Sequence, residues 1–126
     1  MNPRRANMRN WLIAGVVGVL GSAPALATQY ACSGPVNGVT VGPSGVVAAE
    51  SAGGQHWGYF CQLGATVNGV SPESCKGILA ILLTAQSAGK SIQLWYNDSI
   101  DCSTHLTQQA GWTYLSTWYW GPEILN

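Results

Sequence analysis

The groups in this sequence able to do chemistry are four cysteines, two histidines, a few carboxylates and a dense set of aromatic rings. Cys32, Cys61, Cys75 and Cys102 contain no CxxC pair, and His56 and His105 stand at no ligand spacing, so no metal site is expected. Asp101 ahead of His105 reads either as an orienter with its base or as part of a polar loop beside a half-cystine. The second reading is preferred. Glu50 and Glu73 would serve glycoside cleavage only as a facing pair, and a strand end and a helix start account for them. The sequence has no G-x-S-x-G, no P-loop and no H-E-x-x-H. The expectation is a non-enzymatic protein, with no catalytic residue, metal or cofactor assigned.

The cysteines instead point to a compartment. An even number in a short exported chain suggests two disulfides. Three pairings are open, and Cys61–Cys75 with Cys32–Cys102 is preferred, because the first closes a local loop worth about 3 kcal/mol in the chain-entropy description. Export itself is read from the N-terminus. Arg4, Arg5 and Arg9 precede an uncharged apolar run from Trp11 to Gly21, and Pro24 to Ala27 supplies a break and a small-x-small end. This is the pattern of a secretory signal cut after Ala27. The run is about half the roughly 20 residues a membrane span needs, so no span is expected after cleavage. The predicted organisation is a signal peptide over 1–27 and one secreted or periplasmic domain over 28–126.

Removing the signal changes the charge. The 126-residue chain is formally neutral with only 8% charged residues. The part from Thr28 onward keeps Lys76 and Lys90 against Glu50, Glu73, Asp98, Asp101 and Glu123, a net charge of −3. Binding to nucleic acid or to anionic lipid, which rests on clustered Lys and Arg, is therefore not expected. An apolar fraction of 47% likewise excludes a disordered chain.

The elements that must position these groups follow from periodicity. Val36–Val41, Gly45–Glu50 and His56–Leu63 read as three strands separated by Gly/Pro turns. At Ser71 the period switches. Ser71 can cap a helix with Pro72 at its first position and Glu73 in its first turn, and Ile78, Ile81, Leu82 and Ala85 form an apolar stripe up to Gly89. Ser91–Tyr96 alternates as a fourth strand. Asn97–Thr104 reads as a disulfide-tethered loop, and Trp112–Trp120 as a fifth strand ended by Gly121-Pro122. Three strands, a helix and two strands match a five-stranded OB-type barrel, mainly β with one helix. The alternative is an open α+β layer with the helix over one face.

Eleven of the twelve Trp, Tyr and Phe residues fall in 28–126. Alternation puts half of those in strands on the outside. Trp57, Tyr59, Trp95 and Tyr119 are the candidate binding residues, because outward rings on a weakly charged surface suit sugar faces or another protein.

Tyr59-Phe60-Cys61, the second cysteine at Cys75, the apolar helix with Leu82 and Ala85, and Gly89-Lys90-Ser91-Ile92-Gln93-Leu94 resemble the B subunits of subtilase-cytotoxin and pertussis-like toxins. The similarity covers about Gly45 to Tyr96. It implies a small exported bacterial protein with an OB fold, a Cys61–Cys75 disulfide, and ring assembly around an enzymatic subunit with glycan binding. The toxin subunits place a cysteine pair near the C-terminus, whereas here Cys32 and Cys102 remain for each other. No glycan-contacting residue is carried over. The function expected is a secreted non-enzymatic binding domain for a glycan or a protein partner, glycan binding being what the resemblance implies. The alternative is an assembly subunit, a homo-oligomer or a partner in a larger complex, that binds no glycan.

Overall fold

The computed structural model describes Gly21 and residues 28–126. The signal sequence and its cleavage point after Ala27 fall, apart from Gly21, outside the described residues. The chain runs β1 Tyr30–Pro35, β2 Asn37–Val41, β3 Val46–Ala52, β4 Gln55–Gln62, α1 Pro72–Ala88, β5 Ser91–Tyr96, α2 Cys102–Gln108, β6 Thr113–Tyr114 and β7 Trp118–Ile124. The described residues are thus mainly β with two helices.

The strands form two sheets rather than one closed five-stranded barrel. One has the order β1-β5-β7 and the other β2-β3-β4-β6. Pairing is antiparallel throughout except for the short β4–β6 contact, which is parallel. The sheets share two stretches of chain. β1 passes into β2 at Val36, which is buried, and β6 passes into β7 across 115–117, where Leu115 is buried. At each point the backbone leaves one sheet for the other while its side chain stays in the common core.

Close backbone approach brings the sheets together. A Cβ on Gly34 of β1 would lie 2.5 Å from the backbone nitrogen of Gly54, in the β3–β4 turn. Only a glycine fits there. Phe60, Leu82, Ile92, Leu94, Tyr96 and Leu115 fill the core, with Trp118 edge-on to Phe60 at 5.5 Å.

Helix α1 has the bounds that its sequence signals give. Ser71 Oγ accepts from the Ser74 N–H at 3.2 Å and Pro72 stands at the first turn. Gly89 adopts φ 65°, with the Lys90 N–H donating to the Ala85 carbonyl at 2.9 Å, the closing bond of a Schellman-type end. Cys75, Leu82 and Ala85 turn into the core. The Gln86 side chain accepts from the Val39 N–H at 2.9 Å, so α1 also covers part of the edge strand β2, which would otherwise invite pairing.

Three expectations need correction. The expected loop 97–104 gives way at Cys102 to α2, capped by Asp101, whose carboxylate accepts from the Thr104 N–H at 2.8 Å. β1 was not expected; its ladder is set by pairing with β5, Tyr30 opposite Tyr96 through Pro35 opposite Ser91. The expected strand 112–120 is broken. Thr117 takes φ 59° between β6 and β7, and β7 continues through Gly121-Pro122 instead of ending there. The register with β5 shifts at that dipeptide. Proline is tolerated there because a bulge on an edge strand has no ladder bond for it to break.

Both disulfides, Cys32–Cys102 and Cys61–Cys75, are formed, and no described cysteine is free. Two disulfides fit an extracellular or periplasmic protein. Among the described residues no helix is long and apolar enough to cross a membrane.

Candidate functional site

Two of the four candidate rings, Trp57 and Tyr59, line one cleft. Both lie on β4, half-buried. Trp57 stacks on Trp112, which the binding assignment omitted, with ring centroids 4.3 Å apart and planes 13° from parallel. Trp112 keeps 59% of its surface exposed. Tyr59 packs edge-on to Tyr114 at 5.6 Å. Together with Thr40, Ser44 and Val46, the rings of Trp57, Tyr59 and Trp112 line a cleft of about 470 Å³.

The stack is held at a conformational cost. Trp57 has φ 49° and Trp112 φ 63°, the left-handed region that costs a bulky residue on the order of 1 kcal/mol or more. The backbone fixes both. The Trp112 N–H donates to the Trp57 carbonyl at 2.8 Å, and the Leu115 N–H to the Tyr59 carbonyl at 3.0 Å. Gln109, the residue that ends α2, then clamps the turn after Trp112. Its Nε2 donates to Thr113 Oγ1 at 2.7 Å, and its Oε1 accepts from the Ser116 N–H at 2.9 Å. Two adjacent strained tryptophans, one of them largely in solvent, are not what core packing alone selects.

The remaining candidates lie apart from this cleft. Trp95, on β5 between the buried Leu94 and Tyr96, faces away from the core and is half-buried in register with Ala31 and Trp120. Tyr119, 40% exposed, lines a second groove with Ile78 and Ile81 of α1 and with Trp120, about 430 Å³ in volume. Simple alternation puts Trp118 and Trp120 on one face. The structure separates them, because a bulge at Tyr119 pairs Trp118 with Tyr96 and Trp120 with Trp95. Trp118 therefore reaches Phe60 in the core, while Trp120 is 67% exposed.

His105 and Asp101 do not form a base and its orienter. Asp101 caps α2, and the bond from the Thr104 N–H holds its carboxyl below the usual range. His105 instead meets Asp98, Nδ1 to Oδ2 at 2.7 Å, with only 2% of the imidazole exposed. Asp98 also accepts from the Tyr30 hydroxyl at 2.6 Å and from Thr117 Oγ1 at 2.7 Å. Burial raises the carboxyl of Asp98, but these bonds outweigh it and bring its pKa down to about 2. Burial, aided by Asp98, pushes the Tyr30 and Tyr96 hydroxyls up. The imidazole ring lies 3.9 Å from that of Tyr96, and its Nε2 is buried without a hydrogen-bond partner. This cluster ties β1, β5 and β7 to α2. Its hydrogen bonds join segments far apart in the chain.

Among the described residues no group of three or more His, Cys, Asp or Glu side chains is placed to hold a metal. The chain matches no protein-family model, no curated protein and no solved structure.

Proposed function

We propose that this chain is an exported, non-enzymatic binding domain that takes a carbohydrate in the Trp57–Trp112 cleft. The observation that carries this is the pair of strained, stacked indoles with Trp112 open to solvent. A rigid flat ring is what the C–H face of a pyranose packs on, and hydroxyls beside it can bond to sugar hydroxyls. Thr40, Ser44 and Tyr59 supply such hydroxyls in the same cleft.

The fold we infer is of the OB type, partly open. What supports it is the path of the two shared stretches. Taking β1 with β2 as one bent strand and β6 with β7 as another gives five strands. Each then neighbours the next around a ring: β1/β2, β3, β4, β6/β7, β5 and back to β1. The helix between the third and fourth strands is α1. This agrees with the resemblance to toxin B subunits, and the resemblance in turn favours a glycan ligand.

The test is a glycan array with the oxidised 28–126 domain. Saturable binding is expected, weakened about tenfold or more by Trp112→Ala, the loss of one stacking face. A blank array with correctly folded protein would overturn the reading.

A second reading, an assembly subunit, is favoured by the groove between α1 and β7. Tyr119, Trp120, Ile78 and Ile81 there form a largely apolar surface, with Tyr119 40% and Trp120 67% exposed. Apolar patches of this kind mark protein contacts. Light scattering that shows only monomer at micromolar concentration would remove it.

A further inference from the structure

We infer that the Trp57–Trp112 cleft selects an uncharged pyranose and rejects acidic sugars; this rests on the carbohydrate-binding reading above and narrows its ligand class. Recognition of a sugar carboxylate commonly uses a guanidinium or ammonium group for charge-assisted hydrogen bonds. The cleft has none. Its polar groups are the hydroxyls of Thr40, Ser44 and Tyr59, and the rest of its lining is indole, aliphatic or glycine and proline.

The two bases of the described chain are placed elsewhere. Lys76 projects from α1 and meets Glu73 at 3.1 Å, and Lys90 follows the end of the same helix. Neither lines the cleft. An ionised side chain of the opposite sign stands on the same face of β3, beside the cleft lining. On β3, Val46 and Ala48 line the cleft while Val47 and Ala49 are buried, so Glu50 stands on the cleft face. The register pairs Ala49 with Gly58 and Ser51 with His56, which sets Glu50 across from Trp57. Its side chain passes over Gly38 of β2, two residues from Thr40: a Cβ added at Gly38 would lie 3.0 Å from Glu50 Oε2.

The charge pattern therefore works against an acidic ligand at short range, from Glu50, and at long range, from a domain with net charge −3. The stack adds the attractive part. One face of the Trp112 ring is covered by Trp57, and the 59% of the residue left exposed offers surface for the C–H face of a neutral sugar ring.

Calorimetric titration of matched pairs tests this: lactose against sialyllactose, and galactotriose against trigalacturonate. The neutral member of a pair should bind at least about tenfold more tightly. Glu50 is exposed, so Glu50→Lys should fold normally, raise the affinity for the acidic member about tenfold, and leave the neutral one nearly unchanged. Trp112→Ala should weaken binding of the neutral sugar about tenfold or more, and Trp112→Phe should weaken it less. Acidic sugars binding as well as neutral ones would overturn the selectivity and leave the carbohydrate reading standing. Binding of neither class at millimolar concentration, by protein with native circular dichroism, would overturn the carbohydrate reading itself.

Discussion

Asp98 stands where four segments meet, accepting from Tyr30, Thr117 and the Ile100 N–H and facing His105. Its carboxyl titrates near 2 when folded, below the ordinary carboxylate value. A depressed acid stabilises the fold above the unfolded pKa of about 3.9, and that contribution is lost as pH falls through the folded value. Stability should therefore decline between about pH 4 and pH 2, with this residue supplying about 1–2 kcal/mol. Urea melts across that range should show a flatter acid limb for Asp98→Asn, together with lower stability at neutral pH. At the same scale, Gln109→Ala should free the turn after Trp112. The expected outcome is weaker sugar binding with a change in tryptophan fluorescence but little loss of global stability. Part of the site was legible in residue types: Trp57 and Tyr59 stand out as aromatics in an alternating strand. Trp112 was not, because its contribution depends on positive φ at two tryptophans and on a contact between segments far apart in the chain. Periodicity carries neither.

Helix α1 and strand β5 were legible to the residue. Capping chemistry is local, and so is a clean alternation of Ile92, Leu94 and Tyr96 against polar or aromatic partners. Ser71→Ala, which removes the acceptor for the Ser74 N–H, should cost about 1 kcal/mol in a denaturant melt. β1 and α2 were hidden for the opposite reason. Tyr30–Pro35 carries Ser, Gly and Pro and is a strand only because β5 offers a free ladder. Cys102–Gln108 is a short polar helix fixed by its cap, a disulfide and the burial of His105. Gly34 shows what such tertiary control demands. Gly34→Ala would press a methyl into the backbone at Gly54, and neither strand nor turn can yield easily. A loss of about 1–3 kcal/mol is expected, with hydrogen exchange accelerating first in β1 and the β3–β4 turn.

For the molecule as a whole, the two disulfides divide the work by span. Cys61–Cys75 bridges a separation of 14 residues and fixes the start of α1 on β4, whereas Cys32–Cys102 bridges 70 and holds β1 to α2. In the chain-entropy description these contribute about 3 and about 4.4 kcal/mol. Paired Cys→Ser replacement of Cys32 and Cys102 should thus lower stability more than replacement of Cys61 and Cys75. It should also weaken sugar binding, because α2 leads directly into its C-cap Gln109, which sets the turn after Trp112. The general class, mainly β with α1 between the early and late strands, was legible from the order of periods. The division into two sheets was not, since it depends on where two strands bend, and Val36 and Leu115 look like any other apolar residue.

The nesting of one bridge inside the other has a consequence for how the protein is made. A ribosome delivers Cys32 first and Cys102 last, so the outer bond must wait for nearly the whole chain. An oxidant that joins thiols in order of appearance would couple Cys32 to Cys61 and strand Cys75 with Cys102. Native pairing calls for a catalyst that reshuffles bonds, or for oxidation delayed until synthesis is complete. A host producing this protein therefore needs either an isomerase beside its oxidase or an oxidase that acts late.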